Sequence, residues 1–92
     1  MREIRWSEEK NKKLLSERGV CFEDVLVASR ENKILDSLEH PNKEKYPHQK
    51  ILIVEIRGYV YVVPCVKTKR EIFLKTIIPS RKYTKQYCID KK

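Results

Sequence analysis

Lys50 to Arg81, KILIVEIRGYVYVVPCVKTKREIFLKTIIPSR, is the only stretch of the 92 residues apolar enough to form a sheet interior, and it constrains everything around it. β-branched and aromatic residues gather there in three runs, Ile51 to Ile56, Tyr59 to Val66 and Ile72 to Ile78, the composition of strands that pack on a pleated surface. Arg57-Gly58 separates the first two runs, and Gly58 supplies the positive φ that a two-residue hairpin requires. Lys67-Thr68-Lys69-Arg70 separates the second from the third with four polar residues, three of them cationic. Three antiparallel strands follow from this punctuation. A two-residue first turn sets Ile56 opposite Tyr59. Lys50, Leu52, Val54, Tyr59, Tyr61 and Val63 then share one face, and Ile51, Ile53, Val60 and Val62 the other.

The flanks read as helices and short strands. Ile4 to Trp6 is a brief apolar run before Ser7, a good N-cap, while Glu8 and Glu9 complement the positive end of a helix from Ser7 to Arg18. Gly19 is placed to end it at C′. Phe22, Val25, Leu26 and Ala28 form the buried stripe of a second helix from Phe22 to Glu31, with Asn32 as its stop. Ile34, Leu35 and Leu38 make a small apolar island, read as a short strand or turn at 33–38. Pro41 and Pro47 exclude a helix in the loop that runs on to Gln49. After Pro79, Ser80 can cap a terminal helix from Arg81 to Ile89 with Tyr83 and Tyr87 one turn apart, and Asp90 to Lys92 is a frayed tail. The expected class is α+β in the order β-α-α-β-β-β-α, with an antiparallel sheet, two N-terminal helices packed on it and a short C-terminal helix.

A chain of this length is expected to form one domain that buries roughly 60 to 65% of its unfolded surface. No run of about 18 apolar residues offers a membrane span, and the charged start at Arg2, Glu3 and Arg5 is unlike a signal peptide. A cytoplasmic protein is expected. Cys21, Cys65 and Cys88 have no metal-ligand spacing and read as reduced thiols, and His40 and His48 sit in a loop without a repeated ligand pattern. No metal is expected. Charge is informative by position: residues 1–40 hold eight Lys/Arg against nine Asp/Glu, whereas residues 41–92 hold thirteen against four. The basic half is the sheet and its flanks. Such a field attracts polyphosphates, RNA among them, although an acidic protein could use the same surface.

Three segments carry a resemblance. Trp6-Ser7-Glu8-Glu9-Lys10, Glu17-Arg18-Gly19-Val20-Cys21-Phe22-Glu23 and Ile77-Ile78-Pro79-Ser80-Arg81-Lys82-Tyr83-Thr84 resemble, in register, the opening, middle and terminal motifs of the BrnT toxins, part of the RelE/ParE-like group of bacterial toxin–antitoxin proteins. The resemblance spans nearly the whole chain. It implies a RelE-like fold and the toxin of a type II toxin–antitoxin system, a metal-independent endoribonuclease that blocks translation and needs no cofactor. Its implied partners are a cognate antitoxin protein and RNA, mRNA on the ribosome included, and a homodimer stays open. The chain departs from the pattern at Glu17-Arg18 in place of Lys-His, at Leu14 in place of Asn, and at Thr76 in place of Arg. Either other residues take those roles, or the fold serves as a noncatalytic protein-interaction or RNA-binding module.

Cleavage by attack of the 2′-OH needs a base, an acid and cations to hold the phosphorane charge. Arg81 matches the family arginine, and its guanidinium can grip a phosphate through two hydrogen bonds. The competing reading has Arg81 capping the sheet edge or paired with Glu55 or Glu71. Lys10 matches the family lysine, or is a solvated helix lysine. His48 beside Lys50 is a candidate acid or base, since histidine ordinarily titrates near neutrality, and Lys50 is a candidate partner for it. For nucleic-acid binding the candidates are Arg57, Lys75, Lys82, Tyr83, Lys85 and Tyr61, the last as a ring for base stacking or as core. The length of the second turn decides which face receives Lys75.

Overall fold

Arg57 and Gly58 both adopt positive φ, +50° and +81°, which makes the first turn the two-residue type whose twist matches the strands it joins. The computed structural model, which describes residues 3–88, contains β1 (Glu3–Trp6), α1 (Glu8–Arg18), α2 (Phe22–Arg30), β2 (Ile34–Glu39), β3 (Gln49–Ile56), β4 (Tyr59–Lys67), β5 (Glu71–Leu74), β6 (Ile78–Pro79) and α3 (Arg81–Cys88). The class is α+β, with three helices and a mixed six-stranded sheet in the order β1-β5-β4-β3-β2, β6 pairing with β4. Ile56 stands opposite Tyr59 and Lys50 opposite Cys65, so the two faces of the hairpin hold the residues expected of them.

Three features differ from the expected antiparallel β-α-α-β-β-β-α order. Ile34–Glu39, read as a short strand or turn and not counted in that order, is β2, the edge strand paired with β3. β1 runs parallel to β5, from Glu3 opposite Glu71 to Trp6 opposite Leu74, so the sheet is mixed. The third run of the meander is two strands. Leu74 faces Cys65 and Ile78 faces Val62, so 75–77 on one side span only 63–64 on the other, a bulge. The cause is packing. A regular strand would send Ile77 to the opposite side from Leu74, whereas the extra residue returns Ile77 to the helix side, where it is fully buried.

The helices seat as their caps dictate. Ser7 accepts the Lys10 N–H, and Gly19 at φ +70° ends α1 with its N–H on the Leu15 carbonyl. Cys21 and Asp24 form a capping box at α2. On the helix side Leu14, Val20, Phe22, Val25 and Ala28 close over Val54, Ile56, Val63, Cys65, Leu74 and Ile77. Trp6 stacks on Phe22 at 5.7 Å between centroids. Burial pushes the Cys65 thiol up, against the nearby Lys67 and Lys50 charges that lower it.

α3 lies against the other face. Ser80 accepts the Tyr83 N–H as its cap, and the Thr84 hydroxyl accepts the Val60 N–H at 2.9 Å. Loss of hydration, and then the Asp36 carboxylate on β2, push the Tyr87 phenol up, so α3 reaches from β4 toward β2. Ile53 and Val60 are fully buried on this face. Ile89 and the tail 90–92 lie outside the described residues.

Candidate nucleic-acid interface

The hairpin register, carried to its open end, sets Gln49 opposite Val66 and brings His48 level with Lys67. The Lys67 N–H donates to the His48 carbonyl at 2.8 Å. This bond ties the loop before β3 to the cationic turn after β4. Between them opens a cleft of about 490 Å³ lined by Pro47, His48, Lys50, Lys67, Thr68 and Lys69. A second cleft of about 480 Å³ lies on the other side of the turn, lined by Glu3, Arg5, Thr68, Lys69, Arg70 and Glu71. The turn stays compact because the Thr68 hydroxyl accepts the Glu71 N–H at 3.2 Å, while the Thr68 N–H donates to the Glu71 carbonyl.

The cations around this turn differ in how they are held. Lys50 sits 3.3 Å from Glu39, which also pairs with Lys43 at 2.6 Å. Lys43, and then Lys50, hold the Glu39 carboxyl below the usual range. Arg5 is shared between Glu3 and Glu71 at 3.5 and 3.8 Å. Lys69 and Arg70 are exposed. Phosphate oxygens can therefore compete for Lys50 and take up Lys67 and Lys69 with little rearrangement.

The expected site residues are dispersed. His48 and Lys50 come together. Arg81 is exposed at the first turn of α3. It follows Ser80, whose N–H donates to the Val60 carbonyl. Val60 and Cys65, the partner of Lys50, are five positions apart on β4, roughly 16 Å along the strand. Lys10, on α1, belongs to the layer on the opposite side of the sheet from α3 and lines a shallow cleft with Ser7, Glu9 and Lys13. Arg57 is spent on the fold: its guanidinium donates to the Gly19 carbonyl at 2.7 Å and to Asp24 at 3.3 Å. Tyr61 packs against the helix-side core, its ring edge on Tyr59 at 5.5 Å. Lys82 and Lys85 are exposed on α3, with the Lys82 ammonium 5.6 Å from the Tyr83 ring centroid and Tyr83 beside Tyr87 at 6.2 Å. The Lys75 N–H donates to the Pro64 carbonyl, and Lys75 is exposed in the bulge just past the end of β5.

In sequence Lys67 and Lys69 are legible only as part of a turn. The signal that joins them to His48 is the hairpin register itself, in which the pair 56 and 59 implies the pair 48 and 67. Arg18, one of the departures from the family motif, donates to the Ile77 carbonyl at the bulge, a structural role that its place before Gly19 does not announce. Among the described residues no helix is long and apolar enough to cross a membrane. No protein-family model matches this chain, and neither a curated protein nor a solved structure is detectably similar to it.

Proposed function

We propose that the chain is an RNA-cleaving toxin of the RelE-like kind, acting without metal and neutralised by a protein antitoxin. The observation that supports this most is the gathering of His48, Lys50, Lys67 and Lys69 around one open cleft. In the proposed reaction the 2′-oxygen forms a bond to phosphorus as the bond to the 5′-oxygen breaks. The 2′-OH proton is removed and a proton is delivered to the leaving oxygen, with His48 carrying one of these transfers and solvent water the other. Lys50, Lys67 and Lys69 hold the non-bridging oxygens as charge builds on them. Arg81, Lys82 and Lys85 lie on the α3 face, opposite the face that carries Lys50 and Lys67, and offer a separate basic patch to the rest of the strand. An antitoxin finds apolar surface on the α3 side of the sheet, where Phe73 and Ile78 are 38% and 42% exposed.

A noncatalytic RNA-binding module is the second reading, and the distance of Arg81 from the cleft favours it. Expressing the chain alone in a bacterial host separates the two. Growth arrest relieved by co-expressing the neighbouring gene is the expected result, and unhindered growth at high expression overturns the toxin reading.

A further inference from the structure

The loop between β2 and β3 is mostly exposed, with His40 and Tyr46 half-buried, and it is cross-linked by its own hydrogen bonds. Its ends are joined by the His40 N–H on the Gln49 carbonyl, and the Tyr46 N–H donates to the Asn42 carbonyl. The Asn42 N–H in turn donates to His40 Nδ1 at 3.0 Å, and Asn42 Oδ1 accepts the Lys45 N–H at 3.2 Å. At the centre of these bonds the His40 and Tyr46 rings pack at 4.5 Å between centroids, with the Lys45 ammonium 5.5 Å from the Tyr46 ring. Nothing in the core requires this pair, since neither ring belongs to the buried cluster.

The loop is also fastened to the cleft. The Gln49 N–H donates to the Tyr46 carbonyl, a tight turn that carries the chain through Pro47 and His48, both cleft residues. We infer that Tyr46, supported by His40, is a stacking platform for an unpaired nucleobase whose flanking phosphate lies on Lys50, Lys67 and Lys69. The inference rests on the RNA reading proposed above and adds a subsite that recognises bases. A π-face beside a cation groove is how single strands are held without regard to pairing. A base reaches the Tyr46 ring by displacing Lys45, whose long exposed side chain is free to turn to a phosphate. Recognition through an unstacked base favours single-stranded RNA over duplex.

The test measures binding of the purified full chain to two labelled 2′-O-methyl strands of equal length, one of mixed sequence and one abasic, so that cleavage cannot intervene. The parent is expected to prefer the base-bearing strand. Tyr46→Leu should weaken that strand roughly 5-fold to 100-fold while leaving the abasic strand unchanged, and Tyr46→Phe should bind as the parent does. Tyr46→Leu binding both strands like the parent overturns the platform and leaves the RNA reading standing. Equal weakening of both strands also overturns it, because the ring would then only hold the cleft in shape. A parent that binds neither strand removes the RNA reading and the platform together.

Discussion

The backbone N–H of Lys67 donates to the carbonyl of His48 at 2.8 Å, so two segments 19 positions apart form the rim of one basic cleft. If that rim grips phosphates, each lysine contributes to counterion release. Lys67→Ala and Lys69→Ala should each lower RNA affinity and reduce the slope of log affinity against log salt by about 0.7 to 1. The check is a salt titration of a single-stranded RNA, with both variants folded as the parent by circular dichroism.

In the RNA reading proposed above, Glu39, 3.3 Å from Lys50, competes with phosphate for that lysine. Its pKa is depressed in the fold, chiefly by Lys43 and then by Lys50, so its pairing is present above the ordinary glutamate range and is lost as pH falls through the lowered folded value. Glu39→Gln imitates that acid side at neutral pH. Measured there, RNA affinity should rise a few-fold over the parent, and the gain should vanish in the double variant with Lys50→Ala.

Arg57 joins the hairpin to the helix pair through Gly19 and Asp24. Both contacts are exposed, so Arg57→Ala should cost about 1 kcal/mol, a fall of roughly 4 to 8 °C in Tm. RNA affinity should hardly move. Calorimetry and a binding titration on the same sample test this, and lost affinity with unchanged Tm would return Arg57 to the interface.

Much of the fold is legible in the amino-acid sequence. Gly58 and the Ile56 to Tyr59 spacing set the hairpin register, and Ser7 and Gly19 mark the ends of α1, because turns and caps are local chemistry. The bulge at 75–77 is not legible there. It arises from the demand that Ile77 reach a core supplied by helices far away in sequence. The direction of β1 is hidden for the same reason, since Glu3–Trp6 pairs with a strand almost seventy residues on. Of the candidate site, His48 and Lys50 are near neighbours along the chain and line one cleft. Arg57 reads as a phosphate ligand because exposed arginines in hairpins look alike in sequence, and only the approach of Gly19 shows what its guanidinium holds. Tyr46 carries no sequence signal at all, as its partner His40 meets it through the folding of the loop.

Cleavage centred on His48 is tested most directly by following RNA degradation, in the presence of a chelator, by the parent, His48→Gln and Arg81→Ala, each with its RNA affinity and thermal unfolding measured in parallel. The account predicts that the parent cuts without metal. His48→Gln should bind RNA as the parent does and cut at least about 100-fold more slowly, and Arg81→Ala should lose affinity more than rate. Contradiction would be a folded His48→Gln that cuts at the parental rate, or a parent that binds RNA and leaves it whole.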